Sequence, residues 1–131
     1  FNVYSKNQPT DGSYSTVIAA WSENLKNGSP LRIDGTGEQR RDFIHLDDIV
    51  DANIKVGFTD KMSFLGDIFN VGYGNNYSVN DIAKYMGGKT IHVEPRIEPK
   101  ETLLDSNKIK SVFGWKPTID LKDWLEDRNN V

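Results

Sequence analysis

The residues with the clearest chemical potential in this chain are two arginines that follow a pair of glycines. Arg40 and Arg41 come directly after Gly35-Thr36-Gly37-Glu38-Gln39 and lead into the apolar segment Phe43-Ile44-His45-Leu46. Glycine tolerates positive φ and lets the backbone come close to a ligand. A guanidinium is a planar fork of donors that suits a phosphate or a carboxylate. The pattern favours an anion held by Arg41 at the start of a strand, over a surface ion pair with Asp42 or a helix cap.

One spacing resembles a catalytic pair but is better explained by structure. Tyr85 and Lys89 have the Tyr-x-x-x-Lys spacing that short-chain dehydrogenases use for proton transfer on one helix. Gly87 and Gly88 lie between them, and two glycines cost a helix roughly 2 kcal/mol of propensity. We therefore expect the helix to end there, without a catalytic role for the pair.

Histidines and aspartates also have simple explanations. His45 and His92 lack a nearby His or Cys partner, so we expect strand residues rather than metal ligands. Asp47 or Asp48 is predicted to cap a helix, where the unpaired N–H groups favour an acidic side chain. With Asp51 as a solvated position on that helix, no cation site is predicted.

The glycine fingerprint of a dinucleotide site is absent. Gly35-x-Gly37 and Gly72-x-Gly74 each lack the third glycine, and neither opens a helix directly. The sequence therefore predicts no complete cofactor site within these residues.

Composition excludes several classes of protein. The chain has 131 residues, a net charge of -3, 37% hydrophobic residues and no cysteine. An acidic chain lacks the basic face of a nucleic-acid-binding protein, and no apolar run approaches the ~18 residues of a membrane span. Without cysteine there is no disulfide framework or thiolate metal site, so a cytoplasmic location is the default expectation.

The pattern of apolar residues predicts an α/β domain over residues 1–131. Strands are predicted at 1–4, 31–33, 42–45, 67–72 and 90–94, alternating with helices through 17–25, 49–57, 79–86, 107–113 and 121–125. Phe1–Tyr4 and Asp67–Val71 have the short, apolar character of parallel strands, which need a larger sheet around them. The chain also opens on a strand without an initiator Met. We therefore expect these two strands to belong to a larger sheet whose other part is missing.

A set of ordered segments now carries a family resemblance. These segments are Phe1-Asn2-Val3-Tyr4, Tyr14-Ser15-Thr16-Val17-Ile18, Leu31 through Asp48, Phe69-Asn70-Val71-Gly72-Tyr73-Gly74 with Ser78-Val79, Lys100-Glu101-Thr102-Leu103-Leu104-Asp105 and Phe113-Gly114-Trp115-Lys116-Pro117. In this order they resemble the C-terminal, substrate-binding part of the extended short-chain dehydrogenases. The nucleotide-sugar epimerases and dehydratases, of the UDP-glucose 4-epimerase type, are the nearest group. The resemblance implies a Rossmann-type fold, with small mixed sheet elements, about five helices, and the N-terminal NAD-binding half absent.

The resemblance also implies a set of substrate-binding residues. Asn2, Arg41 and Arg96 would hold the diphosphate of a nucleotide sugar, with Phe43 shaping the pocket and Glu98 receiving a ribose hydroxyl. The remaining positions match residues near the base, the sugar or the pocket: Val17, Leu31, Ile33, Asn75 and Phe1. No catalytic or metal-binding residue is implied. NAD would belong to the full family enzyme, with none expected on this chain alone.

Three departures from the family pattern bear on this expectation. Ser5 replaces the usual glycine after the first strand. Asp34 stands where an aromatic residue often packs near the base, which places a negative charge near the phosphates. The segment Pro95–Lys100 is one residue short, so the reach of Arg96 is less secure than that of Arg41.

Two functions from different classes remain open. The chain is either the nucleotide-sugar-binding portion of an NAD-dependent sugar epimerase or dehydratase, not catalytic alone, or a non-catalytic interaction module. The second would pair with another chain, a separate Rossmann half or a second copy, through an exposed sheet edge. Neither reading involves nucleic acid or a membrane.

Overall fold

The α/β class predicted from the sequence is confirmed. The computed structural model describes residues 2–10, 15–127 and 130. Within these residues five strands and five α-helices follow one another, with one short 3-10 turn at Met62–Phe64. The strands are β1 (Asn2–Tyr4), β2 (Leu31–Asp34), β3 (Arg40–His45), β4 (Asn76–Ser78) and β5 (Thr90–Val93); the helices are α1 (Val17–Lys26), α2 (Leu46–Gly57), α3 (Val79–Met86), α4 (Asn107–Phe113) and α5 (Leu121–Glu126).

The strands form two small sheets. β1 pairs in parallel with β3, and β4 pairs antiparallel with the first residues of β3, so β3 is the middle strand of three. β2 and β5 form a separate parallel pair. The loop from β2 to β3 is the double-glycine segment, so it joins the two sheets and places Asp34 at one end and Arg41 near the other.

The main core lies between the two sheets and helices α1, α3 and α5. The helix predicted through 17–25 is confirmed, and its apolar residues face the core: Ile18 and Trp21 are buried, and Val17 and Leu25 are partly buried. The Trp21 indole N–H donates to the carbonyl of Arg32 at 3.2 Å. A second cluster joins β3, α2 and α4 through Ile44, Ala52, Ile109 and Trp115.

The predicted cap of α2 is wrong. His45 is the N-cap, and its Nδ1 accepts the backbone N–H of Asp47 at 3.2 Å. Because β3 runs directly into α2, the last strand residue occupies the capping position and the two aspartates fall inside the first turn. Asp48 is buried instead, where it accepts the N–H and hydroxyl of Thr118 at 2.9 and 3.0 Å and the N–H of Ile119 at 3.1 Å.

The segment 67–72, predicted as a strand of a larger sheet, forms no strand with the residues described here. A strand requires a neighbour to receive its backbone hydrogen bonds. Within the described residues the second neighbour of β3 is β4 instead, a strand the sequence did not reveal. Phe69 and Val71 still pack on the second cluster, which explains their apolar pattern, while Ile68 is exposed.

The ends of the other helices follow the sequence signals. Ser78 and Asp81 form a capping box at the start of α3, and Gly87 ends that helix with φ of 75°. Asp120 caps α5 through the N–H groups of Lys122 and Asp123. At α4 the N-cap is Ser106, which makes no side-chain cap bond, whereas Asp105 accepts the N–H of Asn107 at 2.8 Å.

Asp42 provides a test of how this fold is held together. Its fully buried carboxylate accepts the N–H groups of Tyr73, Gly74 and Leu104 at 3.1, 2.9 and 3.1 Å. Asp42→Asn removes the charge and turns an NH₂ group toward N–H donors, so we expect the free energy of unfolding to fall by about 2–4 kcal/mol. Urea denaturation followed by circular dichroism measures it. Asp51→Asn, at an exposed position of α2, is the control; equal effects of the two substitutions would contradict the prediction.

The capping box of α3 predicts a pH dependence. Burial acts to raise the pKa of Asp81, but hydrogen bonds from the hydroxyl and N–H of Ser78, with Arg40 nearby, outweigh it and hold the pKa below its ordinary value. The carboxylate therefore stabilises the fold above its unfolded pKa, and this contribution is lost as the pH falls through the lower folded value. We expect Asp81→Asn to destabilise the chain by roughly 0.5–1 kcal/mol at pH 7.

The difference between the two proteins should narrow once the pH falls below about 4. Urea denaturation of both proteins at pH 7 and at pH 3 measures it. A difference that is unchanged at pH 3 would show that the charge of Asp81 does not contribute.

Candidate functional site

The two neighbouring arginines of β3 have different roles, because successive side chains of a strand point to opposite faces. Arg40 holds β4 in place: its Nε donates to Oδ1 of Asn76 and its terminal nitrogen to the Asn76 carbonyl, both at 2.7 Å. Arg41 points away from that contact and forms an ion pair with Glu98. One of its terminal nitrogens donates to the Arg40 carbonyl at 2.8 Å, and its side chain is only 15% exposed. The structure thus separates a structural arginine from one that faces a cleft.

Arg41 opens on a cleft of about 240 Å³. Strands β1, β2 and β3, the start of α1 and the loop after β5 all contribute side chains to it. Its lining residues are Asn2, Thr16, Val17, Arg32, Asp34, Gln39, Arg41, Phe43, Val79 and Glu98. Asn2 and Phe43 are direct partners in the parallel register of β1 and β3, which brings the first strand beside the arginine strand.

The double-glycine loop fixes the position at which β3 begins, and therefore the position of Arg41. Gly35 and Gly37 have φ of 67° and 77°, in the left-handed region that favours glycine. A Cβ at Gly37 would lie 2.1 Å from Oδ1 of Asn80, which leaves no room for another residue. Nδ2 of Asn80 donates to the Thr36 carbonyl at 3.0 Å and to Glu38 at 2.7 Å. The start of α3 therefore clamps the loop, which acts as a fixed turn rather than a phosphate cradle.

The charges of the smaller cleft balance one another. Arg41 pairs with Glu98, and Arg32 pairs with Asp34 through Nε at 3.2 Å. Gln39 links the two acidic residues. Its Nε2 donates to the backbone carbonyl of Asp34 at 3.0 Å and to the carboxylate of Glu98 at 3.2 Å. An incoming anion would therefore compete with carboxylates that already pair with these arginines.

A larger cleft of about 740 Å³ adjoins this one. It lies between the double-glycine loop and the segment after β5, and shares Asp34, Gln39 and Glu98 with the smaller cleft. Arg96 lines it, and its Nε lies 2.6 Å from Oδ2 of Asp34. The two predicted arginines thus lie on neighbouring clefts that meet at Asp34 and Glu98.

The structure brings together most of the residues that the resemblance implied. Asn2, Val17, Arg41, Phe43 and Glu98 share the smaller cleft, and Arg96 joins Glu98 in the larger one.

Three predicted residues lie elsewhere, and a fourth is not described. The side chains of Leu31 and Ile33 are buried in the main core. Asn75 is exposed in the loop before β4 and lines neither of the two clefts. Phe1 lies outside the described residues.

On the cleft-facing side of β2, sequence reasoning named Asp34 but missed Arg32. Leu31 and Ile33 point into the core, so the alternation of the strand turns Arg32 and Asp34 toward the cleft. The period-two pattern of Leu31-Arg32-Ile33 was visible in the sequence and could have identified Arg32. Thr16, Gln39 and Val79 also line the cleft, and no sequence signal marked them.

Tyr85 and Lys89, which have the spacing of a catalytic pair, are separated by the end of α3. Gly87 ends α3 with φ of 75°, so Lys89 lies beyond the helix that carries Tyr85. Tyr85 packs its ring against Tyr77, with the ring centroids 5.9 Å apart. His45 and His92 are strand residues, as expected. Among the described residues no group of His, Cys, Asp or Glu side chains could hold a metal ion.

The two glycine pairs at 35/37 and 72/74 lie in loops that do not open a helix. Gly35 and Gly37 lie between two strands, and Gly74 precedes β4, so neither pair stands at a helix N-terminus where a pyrophosphate would be held. Across the residues the structure describes, no helix is both long and apolar enough to pass through a bilayer.

Comparison with known proteins gives consistent relatives. The model of the NAD dependent epimerase/dehydratase family matches residues 1–72. A Methanocaldococcus jannaschii protein, provisionally assigned as a UDP-glucose 4-epimerase, is 34% identical over 99% of this chain and 45% of its own.

Solved structures agree with that family. The UDP-glucose 4-epimerase of Thermotoga maritima, solved with UDP-glucose, has a TM-score of 0.81 and 29% identity over 95% of this chain and 41% of its own. The UDP-glucuronic acid 4-epimerase of Bacillus cereus, solved with UDP-glucuronic acid and NAD, has a TM-score of 0.78 and 29% identity over 96% of this chain and 41% of its own. The chain thus spans less than half the length of each of these three relatives, and it has the fold of part of a Rossmann-type epimerase.

The match of the family model to more than half of the chain, together with these structural relatives, shows that the chain belongs to the NAD-dependent epimerase/dehydratase family.

Proposed function

We propose that this chain is the nucleotide-sugar-binding part of an NAD-dependent sugar epimerase or dehydratase. The observation that supports this most directly is the position of Arg41. It is a largely buried arginine at a cleft, beside the parallel pair of Asn2 and Phe43. A guanidinium held in place by the fold loses little further freedom on binding, so it suits a phosphate group.

The diphosphate is the part of the ligand that these residues fit. Asn2 uses one hydrogen of its Nδ2 on the Asp42 carbonyl at 2.6 Å, and the second hydrogen is available to an acceptor in the cleft. Arg96 would approach from the larger cleft, and Glu98 would turn from Arg41 to a ribose hydroxyl. Val17 and Phe43 supply the apolar walls. The relatives solved with UDP-glucose and UDP-glucuronic acid support a UDP-sugar as the ligand.

Binding of NAD and the proton and hydride chemistry would come from residues outside these 131. Among the described residues the glycine pairs at 35/37 and 72/74 do not open a helix, and Tyr85 and Lys89 do not share one. We place the chain at the C-terminal side of such an enzyme, in the cytoplasm. There β1, whose second edge has no neighbouring strand in the described sheet, and the segment 67–72 would join a larger Rossmann sheet. The chain by itself would bind and orient the sugar nucleotide but not turn it over.

A second candidate is the interaction module, and the exposed apolar residues of α2 favour it. Val50 and Ile54 lie one turn apart on the outer face of that helix and are about half exposed, and Phe58 at its end is 88% exposed. Such a surface is typical of a protein contact. This surface would bind a separate Rossmann half or a second copy of this chain. Such an interaction is compatible with the first proposal.

Arg41 gives the main test of nucleotide binding. We expect Arg41→Ala to weaken UDP binding roughly ten- to a hundredfold, because one or two charge-assisted hydrogen bonds are lost. Arg41→Lys keeps the positive charge but not the planar fork of donors, so its UDP affinity should lie between those of the unmodified chain and Arg41→Ala. Isothermal titration calorimetry measures the affinities.

Lys122→Ala, at an exposed position of α5, removes a positive charge away from the clefts and serves as the matched control. Affinities of Arg41→Ala and Lys122→Ala within twofold of each other, with both proteins folded by circular dichroism, would contradict the proposal.

The two candidate functions also predict different behaviour of the unmodified chain. We expect UDP binding but no conversion of UDP-glucose to UDP-galactose with NAD added, measured by chromatography of the sugar nucleotides. Turnover by the chain alone would refute the non-catalytic assignment. Sedimentation over a range of concentrations tests the other candidate: a stable dimer with no UDP binding would favour the interaction module.

A further inference from the structure

We propose that Asp34 competes with the ligand's diphosphate for Arg96 and thereby weakens nucleotide binding. The inference rests on the function proposed above and concerns the regulation of affinity at that same site. Asp34 would act as an internal counter-ion that occupies Arg96 until a phosphate displaces it.

The geometry places one carboxylate between two guanidinium groups. Asp34 is the last residue of β2, and Arg32 precedes it by two positions, so both side chains leave the same face of the strand. Oδ1 lies 3.2 Å from Nε of Arg32, and Oδ2 lies 2.6 Å from Nε of Arg96. Each oxygen of Asp34 therefore has its own arginine.

The fold brings Arg96 to this position through the second sheet. Asp34 is opposite Val93 in the parallel register of β2 and β5, and Arg96 follows Val93 by three residues. The backbone supports the junction, because the N–H of Gly35 donates to the Val93 carbonyl at 2.9 Å. The pairing of Asp34 with Arg96 is thus a product of strand register.

Exposure decides which of the two arginine side chains can move. The Arg41 side chain is 15% exposed, whereas that of Arg96 is 67% exposed. Exposed ion pairs are weak because solvent screens them. Arg96 can therefore leave Asp34 for a phosphate, while Arg41 is held by its surroundings.

The carboxylate would oppose a diphosphate in two ways. It withholds one hydrogen-bond donor of Arg96, and it lies as a like charge at the junction of the two clefts. Like charges within a few ångströms disfavour one another. Removing the charge of Asp34 while keeping its shape should therefore strengthen binding of a diphosphate.

The test is a double-mutant cycle on UDP binding by the full 131-residue chain. Calorimetry compares the unmodified protein, Asp34→Asn, Arg96→Ala and the variant with both changes. We expect Asp34→Asn to bind UDP about three- to tenfold more tightly at low salt. The gain should fall below about twofold when Arg96 is Ala, since the competition is then lost.

Asp67→Asn is the matched control. Asp67 pairs with Lys108 at 3.0 Å and lines neither cleft. The substitution Asp67→Asn therefore removes the same charge from an ion pair away from the clefts. Its UDP affinity should equal that of the unmodified chain. An equal gain in Asp67→Asn and Asp34→Asn would trace the effect to net charge and overturn the proposal.

The remaining outcomes also decide the question. Weaker UDP binding by folded Asp34→Asn would show that Asp34 positions Arg96 for the ligand, and unchanged binding would show that Asp34 does not affect it; either result overturns the competition. A gain that persists fully with Arg96→Ala would overturn it too. If neither the unmodified chain nor Asp34→Asn binds UDP, the proposed function itself fails, and this inference fails with it.

Discussion

The burial of one carboxylate, that of Asp42, governs how the rest of this chain is arranged. It lies on β3 with no solvent exposure and receives three backbone N–H groups from two distant segments, the loop at Tyr73 and Gly74 and the turn at Leu104. A buried charge is tolerated only where hydrogen bonds replace its water. Those segments therefore have one position available to them, and the irregular stretch before β4 is held by a side chain rather than by a ladder of strands.

Neighbouring residues of β3 make different kinds of contact. Asp42 faces the interior, and its carbonyl accepts the amide of Asn2, which fixes β1 beside β3. Arg40 uses its guanidinium to hold Asn76 of β4. Arg41, between them in sequence, is left to face the cleft. One six-residue strand thus anchors its neighbours on both edges and presents one arginine to the smaller cleft.

The clefts contain arginines whose charge is already paired. Arg32, Arg41 and Arg96 have Asp34 or Glu98 as partners. Binding of an anion is therefore an exchange of partners, and its free energy is the difference between two sets of ion pairs rather than the full attraction of each arginine.

The sequence by itself determined the local features whose causes lie within a few residues. The capping box of Ser78 and Asp81, the end of α3 at Gly87, the cap of α5 at Asp120 and the turn at Gly35 and Gly37 follow from side-chain hydrogen bonds and backbone sterics of neighbouring residues. The amphipathic face of α1 follows from the spacing of its apolar residues. Motif order also identified the family and singled out Arg41.

Tertiary structure decided everything that depends on a distant partner. The apolar pattern at 67–72 predicted a strand, but a strand exists only where another strand accepts its hydrogen bonds, and among the described residues β3 pairs with β1 and β4 instead. Asp48 looked like a cap because local rules favour an acid there, yet the loop at Thr118 supplied it with buried donors. The pairing of Asp34 with Arg96 depends on the register of β2 with β5, which no local pattern encodes.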